Sequence, residues 1–398
     1  MILDPKFILK IALTLVFGAG ISCAATPLMK LLARKVGAMD VPKDERRMHH
    51  VPIPRMGGLA IFLGFFISFL TFGDIPPELR GILLGAVCIV ILGVLDDIMT
   101  LPALPKFCVQ ILAAVIVVMS GCRIEHFMGL TLPVWLSYPV SVIWIVAITN
   151  AVNFIDGLDG LAAGVSAISA GTMLIVALML VPDPNAMLSA VVLAALVGAC
   201  IGFIPYNFNP ATIFMGDTGS TFLGFMLASI SIFGLFKTYA VISFAVPFLV
   251  LGLPIFDICF AVIRRVAKGQ SPMHADRGHV HHRLIDMGFS QKQAVAISYL
   301  LSALLGLSAV VLTDRGEVQA LIFLGAIAIV ALIGIRLIFV GKQHKKGAAE
   351  PQAPADTKKP VENEAPTQGE NPAAEEPPVA EEAPAAAQEA PQEEAQDD

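Results

Sequence analysis

The chain has 398 residues, 56% of them hydrophobic and only 15% charged, with a mean hydropathy of +0.77. Soluble domains run nearer half apolar and about a quarter charged, so the composition excludes a mainly disordered chain or a small disulfide-stapled module and predicts a polytopic membrane protein. The net charge of −6 hides two unlike parts: residues 1–341 carry 21 Lys+Arg against 18 Asp+Glu, and residues 342–398 carry 5 against 14.

The first apolar run begins near Phe7, lacks a small-residue cleavage site and is long enough to span, so it reads as a retained helix. Counting runs against the ~17–25 residues a bilayer core requires predicts an all-α fold of about eleven spans. They fall at roughly 7–32, 57–73, 81–95, 106–121, 136–152, 160–180, 187–205, 219–236, 239–263, 293–312 and 320–341. The segment 33–56 carries Arg34, Lys35, Lys43, Arg46, Arg47 and Arg55, and the segment 264–292 carries Arg264, Arg265, Lys268, Arg277, Arg283 and Lys292. The alternate loops hold only Arg80, Arg123, Lys237 and Arg315. By the positive-inside rule the N-terminus lies outside, and the loops after spans 1, 3, 5, 7 and 9 lie in the cytoplasm.

Six cysteines, none in CxxC spacing, read as small buried hydrophobes rather than disulfides or metal ligands. The stretch 342–398 is an Ala/Pro/Glu-rich acidic tail, expected to be disordered and without a catalytic role. Residues 1–341 form the expected membrane domain.

Polar residues cluster on one side. Asp96 and Asp97 follow span 3. Asn150, Asn153, Asp156 and Asp159 follow span 5 in TNAVNFIDGLDGLAAG, and Asn207, Asn209 and Asp217 follow span 7 in YNFNPATIFMGDTGS. Asp257 lies in the inner part of span 9, followed by His274, Asp276, His279, His281 and His282 in HADRGHVHHRL. All fall on the expected cytoplasmic face; the outer loops hold singletons such as Asp74, Glu78, Asp183 and Glu317. A secondary transporter more often sets its charges near mid-membrane with access from both faces, so the pattern favours an enzyme at the inner surface.

Carboxylates and amides without thiolates are hard ligands suited to Mg²⁺ or Mn²⁺ bridging substrate phosphates. Glycines in DGLDGLAAG and MGDTGSTFLG stand where loops enter helices, so backbone N–H groups there can receive an anion. Asp217 is the expected direct metal ligand, with Asp97 and Asn153 beside it. An Asp pair at a helix C-terminus opposes the dipole and calls for a cation, which suits metal or acid/base work for Asp96 and Asp97. Asp156 and Asp159 would share a face if a helix has begun there; alternatively one caps the next helix. His279, His281 and His282 with Arg277 and Arg283 suit phosphate or sugar binding better than zinc, and His49 and His50 with Arg55 read the same way.

Together, PIPRMGG, GVLDD, NxxNFIDGLDGLAAG, NFNPATIFMGDTGS and DRGHVHHRL resemble the polyprenyl-phosphate N-acetylhexosamine-1-phosphate transferases over about residues 7–341. The resemblance implies transfer of a sugar 1-phosphate from a UDP-sugar to undecaprenyl phosphate at the bacterial inner membrane, with Mg²⁺ and release of UMP. The muramoyl-pentapeptide branch reads TPTMGG and three consecutive histidines; PIPRMGG and HVHHR are more similar to the branch using UDP-N-acetylglucosamine. It implies catalytic roles for Asp96, Asp97, Asp156 and Asp159. It also implies a nucleotide-and-metal region at Asn207 and Asp217, and UDP-sugar contacts from His279, His281 and His282. His49, Arg55, Asn153 and Arg277 complete the expected substrate-binding set. The expected partners are UDP-N-acetylglucosamine, undecaprenyl phosphate and the bilayer, with a homodimer as a further expectation and no nucleic acid. The orientation is checked by single cysteines at positions 48, 156, 217 and 281, all expected to label from the cytoplasmic side. One that labels only from outside overturns it.

Overall fold

A computed structural model describes residues 4–42, 51–127, 130–235, 242–267, 269, 279–315 and 325. The chain divides into two units, Met1–Ile338 and Phe339–Asp398, and every described residue belongs to the first. The eleventh expected span and the acidic tail lie outside the described residues, apart from Gly325.

The described part is helical apart from two short hairpins. Helix α1 (Pro5–Val36) opens with the Asp4 side chain accepting from Lys6 N and Pro5 in its first turn, and ends at Gly37. A two-stranded pair, β1 (Met39–Asp40) with β2 (Ile53–Pro54), then leads into α2 (Gly57–Phe72). Next come α3 (Pro77–Met99) and α4 (Ala103–Met119), the hairpin β3 (His126–Phe127) with β4 (Leu130–Thr131), and α5 (Val134–Ile155). Helices α6 (Leu161–Met179), α7 (Pro184–Asn207) and α8 (Gly216–Ile230) follow, the last running into a π-helical turn at Ser231–Leu235. The described chain closes with α9 (Ile242–Val250), α10 (Gly252–Ala267), α11 (Val280–Asp286) and α12 (Gln291–Arg315).

Among the described residues, six helices (α1, α3, α5, α6, α7 and α12) are long and apolar enough to cross a membrane; α2 and α4 are shorter apolar helices. This is an all-α membrane architecture. Helix α7 is its axis: small residues such as Ala190, Ala194, Ala195 and Ala199 are fully buried, which lets α1, α2 and α6 pack closely around it.

Three expectations change. The ninth run is two helices. Pro254 has no N–H to offer the Val250 carbonyl, and that oxygen instead accepts from Ser169 Oγ at 2.9 Å, so the helix breaks at Leu251. Helix α3 does not stop before the aspartate pair but continues to Met99, so Asp96 and Asp97 lie in its last turn. Helix α5 likewise contains Asn150 and Asn153.

Helix α8 enters the bundle against α2 with almost no space. A Cβ on Gly58 would fall inside contact distance of the Gly219 backbone, which cannot yield as a side chain can. Gly58→Ala should therefore lower stability by about 1–3 kcal/mol, read as a drop in the melting temperature of detergent-solubilised protein. Gly20→Ala, with nothing within 4 Å, should not. Equal melting of the two variants would overturn this packing argument.

Candidate active site

The C-terminal ends of α3, α5 and α7 meet the N-terminal ends of α4 and α8, and the polar residues gather there. The centre is Asp97, whose side chain is wholly buried. Its Oδ1 accepts from Asp217 N at 2.9 Å and from Arg55 Nε at 3.2 Å, with Arg55 Nη2 also at 3.2 Å. Its Oδ2 accepts from Thr218 Oγ1 at 2.6 Å and Thr218 N at 3.2 Å. Asp97 thus fills the N-terminus of α8 from a different helix. Gly216, at φ 72°, makes the turn into α8, and a side chain there would run into both Asp97 oxygens and the Arg55 carbonyl. The anion expected at this glycine-rich helix start is therefore a carboxylate of the protein itself.

Asp217, in the first turn of α8, stands beside this cap. Its Oδ2 lies 3.1 Å from Lys106 Nζ, and Lys106 also bonds Asp96 Oδ2 at 2.9 Å. Asp96 Oδ1 accepts from Leu101 N at 2.6 Å. The aspartate pair at the helix end thus has its cations, one arginine and one lysine, as the opposing dipole requires. Asn153 Nδ2 reaches Asp217 Oδ1 at 3.3 Å and Ser220 Oγ at 2.8 Å. One turn deeper, Asn150 donates to Gln110 Oε1 at 2.6 Å, tying α5 to α4.

Residues 156–160 form a turn between α5 and α6, so Asp156 and Asp159 do not share a helical face. Asp159 does not cap α6 either; Gly160 holds the cap position. Instead Asp159 Oδ2 accepts from Asn209 Nδ2 at 2.9 Å and Ala211 N at 3.0 Å, and Asn209 also donates to Gln291 Oε1 at 2.7 Å. Buried Asn207 joins the same two loops, accepting from Gly160 N and donating to Ile213 O. Asp156 differs: no hydrogen bond reaches its half-buried carboxylate among the described residues. Burial, then the charges of Asp217, Asp97 and Asp159, push it up to about 8.

The histidines begin at α11. His279 Nδ1 lies 2.7 Å from Asp257 Oδ2, and its ring packs near Phe154 of α5, 5.9 Å between centroids. His281 stacks parallel to it, and burial, followed by the charge of His282, lowers His281 to about 4. The His281 Nε2 atom is buried without a partner among the described residues, facing the open side of Gly157.

Of the residues expected from sequence, the structure unites Arg55, Asp96, Asp97, Asn153 and Asp217 by direct bonds. It sets Asp156 among their charges, and places Asp159 and Asn207 in the loop ties. His279, His281 and His282 form a separate cluster beside Phe154. His49 and Arg277 lie outside the described residues. Sequence reasoning missed Lys106, Gln110, Thr218 and Ser220. Lys106 is a lone lysine at the start of an apolar helix, which on its own reads only as an orientation signal.

The two shifted groups act oppositely on stability. Folded Asp156 keeps its proton to about pH 8, whereas unfolded it loses it near 3.8, so stability falls as pH rises between these values. Folded His281 stays neutral down to about 4, whereas unfolded it charges below 6.5, so its contribution rises with pH across that window. Above 6.5, of these two, only Asp156 acts. In chelator, the melting temperature should fall from pH 6.5 to 8, and the fall should flatten in Asp156→Asn. The same slope in both proteins would mean that Asp156 is already ionised in the fold.

The family model described as glycosyl transferase family 4 matches residues 79–235. A Bacillus subtilis (strain 168) protein named "Probable undecaprenyl-phosphate N-acetylglucosaminyl 1-phosphate transferase" is 44% identical over 294 residues, covering 72% of this chain and 80% of the relative. The "Decaprenyl-phosphate N-acetylglucosaminephosphotransferase" of Mycolicibacterium smegmatis is 34% identical over 378 residues, covering 86% and 91%. The "Undecaprenyl-phosphate alpha-N-acetylglucosaminyl 1-phosphate transferase" of Escherichia coli K12 is 28% identical over 284 residues, covering 69% and 76%. The stretch matched by the family model runs from α3 through α8 and contains the whole carboxylate cluster together with Lys106 and Asn153. The chain belongs to glycosyl transferase family 4, among the polyprenyl-phosphate N-acetylhexosamine-1-phosphate transferases.

Proposed function

We propose that this protein transfers N-acetylglucosamine 1-phosphate from UDP-N-acetylglucosamine to undecaprenyl phosphate, releasing UMP, as the first membrane step of a cell-wall or surface polysaccharide. The observation that carries the reading is the position of the site. Asp96, Asp217 and Lys106, with Arg55 and Asp97 behind them, stand at one end of a bundle of apolar helices. A charged centre there can meet a soluble nucleotide sugar and a lipid-borne phosphate together. The basic last turns of α1 and α10, with Arg34, Lys35, Arg264 and Arg265, support placing this end at the cytoplasmic face of the plasma membrane.

Mg²⁺ belongs to the same proposal. Asp217 and Asp96 offer hard carboxylate oxygens side by side, and Asp156 adds a carboxylate with no hydrogen bond among the described residues. Among the described residues no three such side chains close on one ion, which suits a metal that takes its remaining ligands from substrate phosphates. Asp217 would hold it, with Asp96 and Asn153 alongside; Asp97, with five donors on its two oxygens, positions α8 instead. When bound, the ion would neutralise charge on the diphosphate.

The acceptor phosphate is largely ionised at neutral pH, so no strong base is needed. Its oxygen forms a bond to the sugar-proximal phosphorus as the bond from that phosphorus to the UMP oxygen breaks, and UMP keeps the electron pair. The protein's part is positioning and positive charge: Lys106 at the carboxylates, and the histidine cluster at the nucleotide sugar.

The test is radiolabel from UDP-N-acetylglucosamine entering lipid with purified protein and undecaprenyl phosphate, with UMP released and turnover abolished by EDTA. Asp217→Asn should lose about a hundredfold or more in turnover, as when a preorganised electrostatic element is removed. Asp159→Asn should cost far less, because an asparagine oxygen can still accept from Asn209 and Ala211. Labelling from UDP-muramoyl-pentapeptide alone would move the substrate to the sister branch. A dead Asp159→Asn beside an active Asp217→Asn would move the site's centre.

A further inference from the structure

Asp257 has no place in the scheme above, although it is one of the most deeply buried charges among the described residues, 3% exposed on α10. Its two oxygens do different things. Oδ1 accepts from Val280 N at 2.7 Å and so caps α11 across the gap between two helices. Oδ2 lies 2.7 Å from His279 Nδ1. A carboxylate only accepts, so at this distance the ring proton sits on Nδ1, and Nε2 is left with its lone pair. The ring is confined on its other sides by Phe154 and by His281, stacked within 7° of parallel. Phe154 follows Asn153, whose amide meets Asp217. The histidine thus packs on the residue that follows Asn153 and is held there by a group on a separate helix.

We infer that Asp257 is a positioning residue for the transfer: through Nδ1 it fixes the tautomer and direction of His279, so that Nε2 serves the phosphate oxygens of a nucleoside diphosphate sugar. The role of His279 rests on the function proposed above; its tautomer does not. The competing role is that of a helix cap alone.

Asp257→Asn separates the two. An asparagine oxygen caps Val280 N as well as a carboxylate does. Its NH₂ then faces Nδ1, which must become the acceptor, and the ring proton moves to Nε2. Nitrogen-15 spectra of histidine-labelled full-length protein, with His279→Gln to assign the signal, should show Nδ1 protonated in the native protein and the opposite tautomer in Asp257→Asn. No substrate is needed for that measurement. In the UDP-N-acetylglucosamine assay, Asp257→Asn and His279→Gln should each lower kcat/KM by about a hundredfold, the scale of a positioned acid or base. The double variant should lose no more than either single, because both remove one unit. An unchanged tautomer in Asp257→Asn overturns the inference. So does a double variant about ten-thousandfold down, the product of two independent losses. A native protein inactive on UDP-N-acetylglucosamine would count against the function, while the spectra would still decide the Asp257–His279 pairing.

Discussion

The buried carboxylate of Asp97 at the start of α8 is the contact on which the site depends. Taking a carboxylate out of water is costly unless every lone pair is met, and here five donors from two other chain segments meet it. Removing one partner of such a buried pair typically costs about 3–5 kcal/mol, so the arrangement is close to all-or-none. It joins the basic loop at Arg55, the last turn of α3 and the first turn of α8. Asp217 is directed from that first turn, and through it Lys106 and Asn153 are brought into register. The parallel bridge between Arg55 and Phe214, with Phe214 N bonding Pro54 O, holds the same segments together along the backbone.

Charge balance explains why the acidic residues tolerate one another at the edge of an apolar bundle. Asp96 and Asp97 would repel each other and the helix dipole if left alone. Each is given its own cation, Lys106 for Asp96 and Arg55 for Asp97, and Lys106 is shared with Asp217. Asp156 receives no such partner among the described residues, and burial beside the other carboxylates keeps it protonated into the neutral range. The same cluster therefore contains carboxylates that are ion-paired and one that holds a proton, a division set by neighbours rather than by residue type.

A second layer of polar residues works on the loops. Asp159, Asn207, Asn209 and Gln291 form a chain of side-chain bonds from the α5–α6 turn through the 207–213 segment to α12. The Tyr299 hydroxyl closes it on the Gly160 carbonyl at 2.5 Å. Asp159, Asn207 and Asn209 occur in the same short motifs as the site carboxylates, yet their atoms are consumed in tying loops together. Helix α12 thereby braces the turn that carries Asp156.

Composition and apolar run length determined the class of the protein, because a bilayer imposes a length and a hydropathy that few other environments require. Motif order was likewise enough to recognise the family, and the clusters of Asp and Asn marked the loops that the fold brings together at one end of the bundle. Division of labour within those loops was not legible. Asp97 and Asp217 look alike in a sequence; only the approach of α8 to α3 makes one a buried cap and leaves the other part-exposed beside Lys106. Asp159 and Asp156 stand three residues apart, and the turn between α5 and α6 sends one to Asn209 and Ala211 while the other keeps a carboxylate unbonded among the described residues. Lys106 was silent because a lone charge on an apolar helix acquires meaning only from the helix opposite; for Asp257 the sequence showed a place before the histidines but not its bond to His279. Local sequence determines which groups are present at the membrane edge, and tertiary packing decides which of them are spent on one another, since a hydrogen bond or ion pair depends on distances that no spacing along the chain encodes.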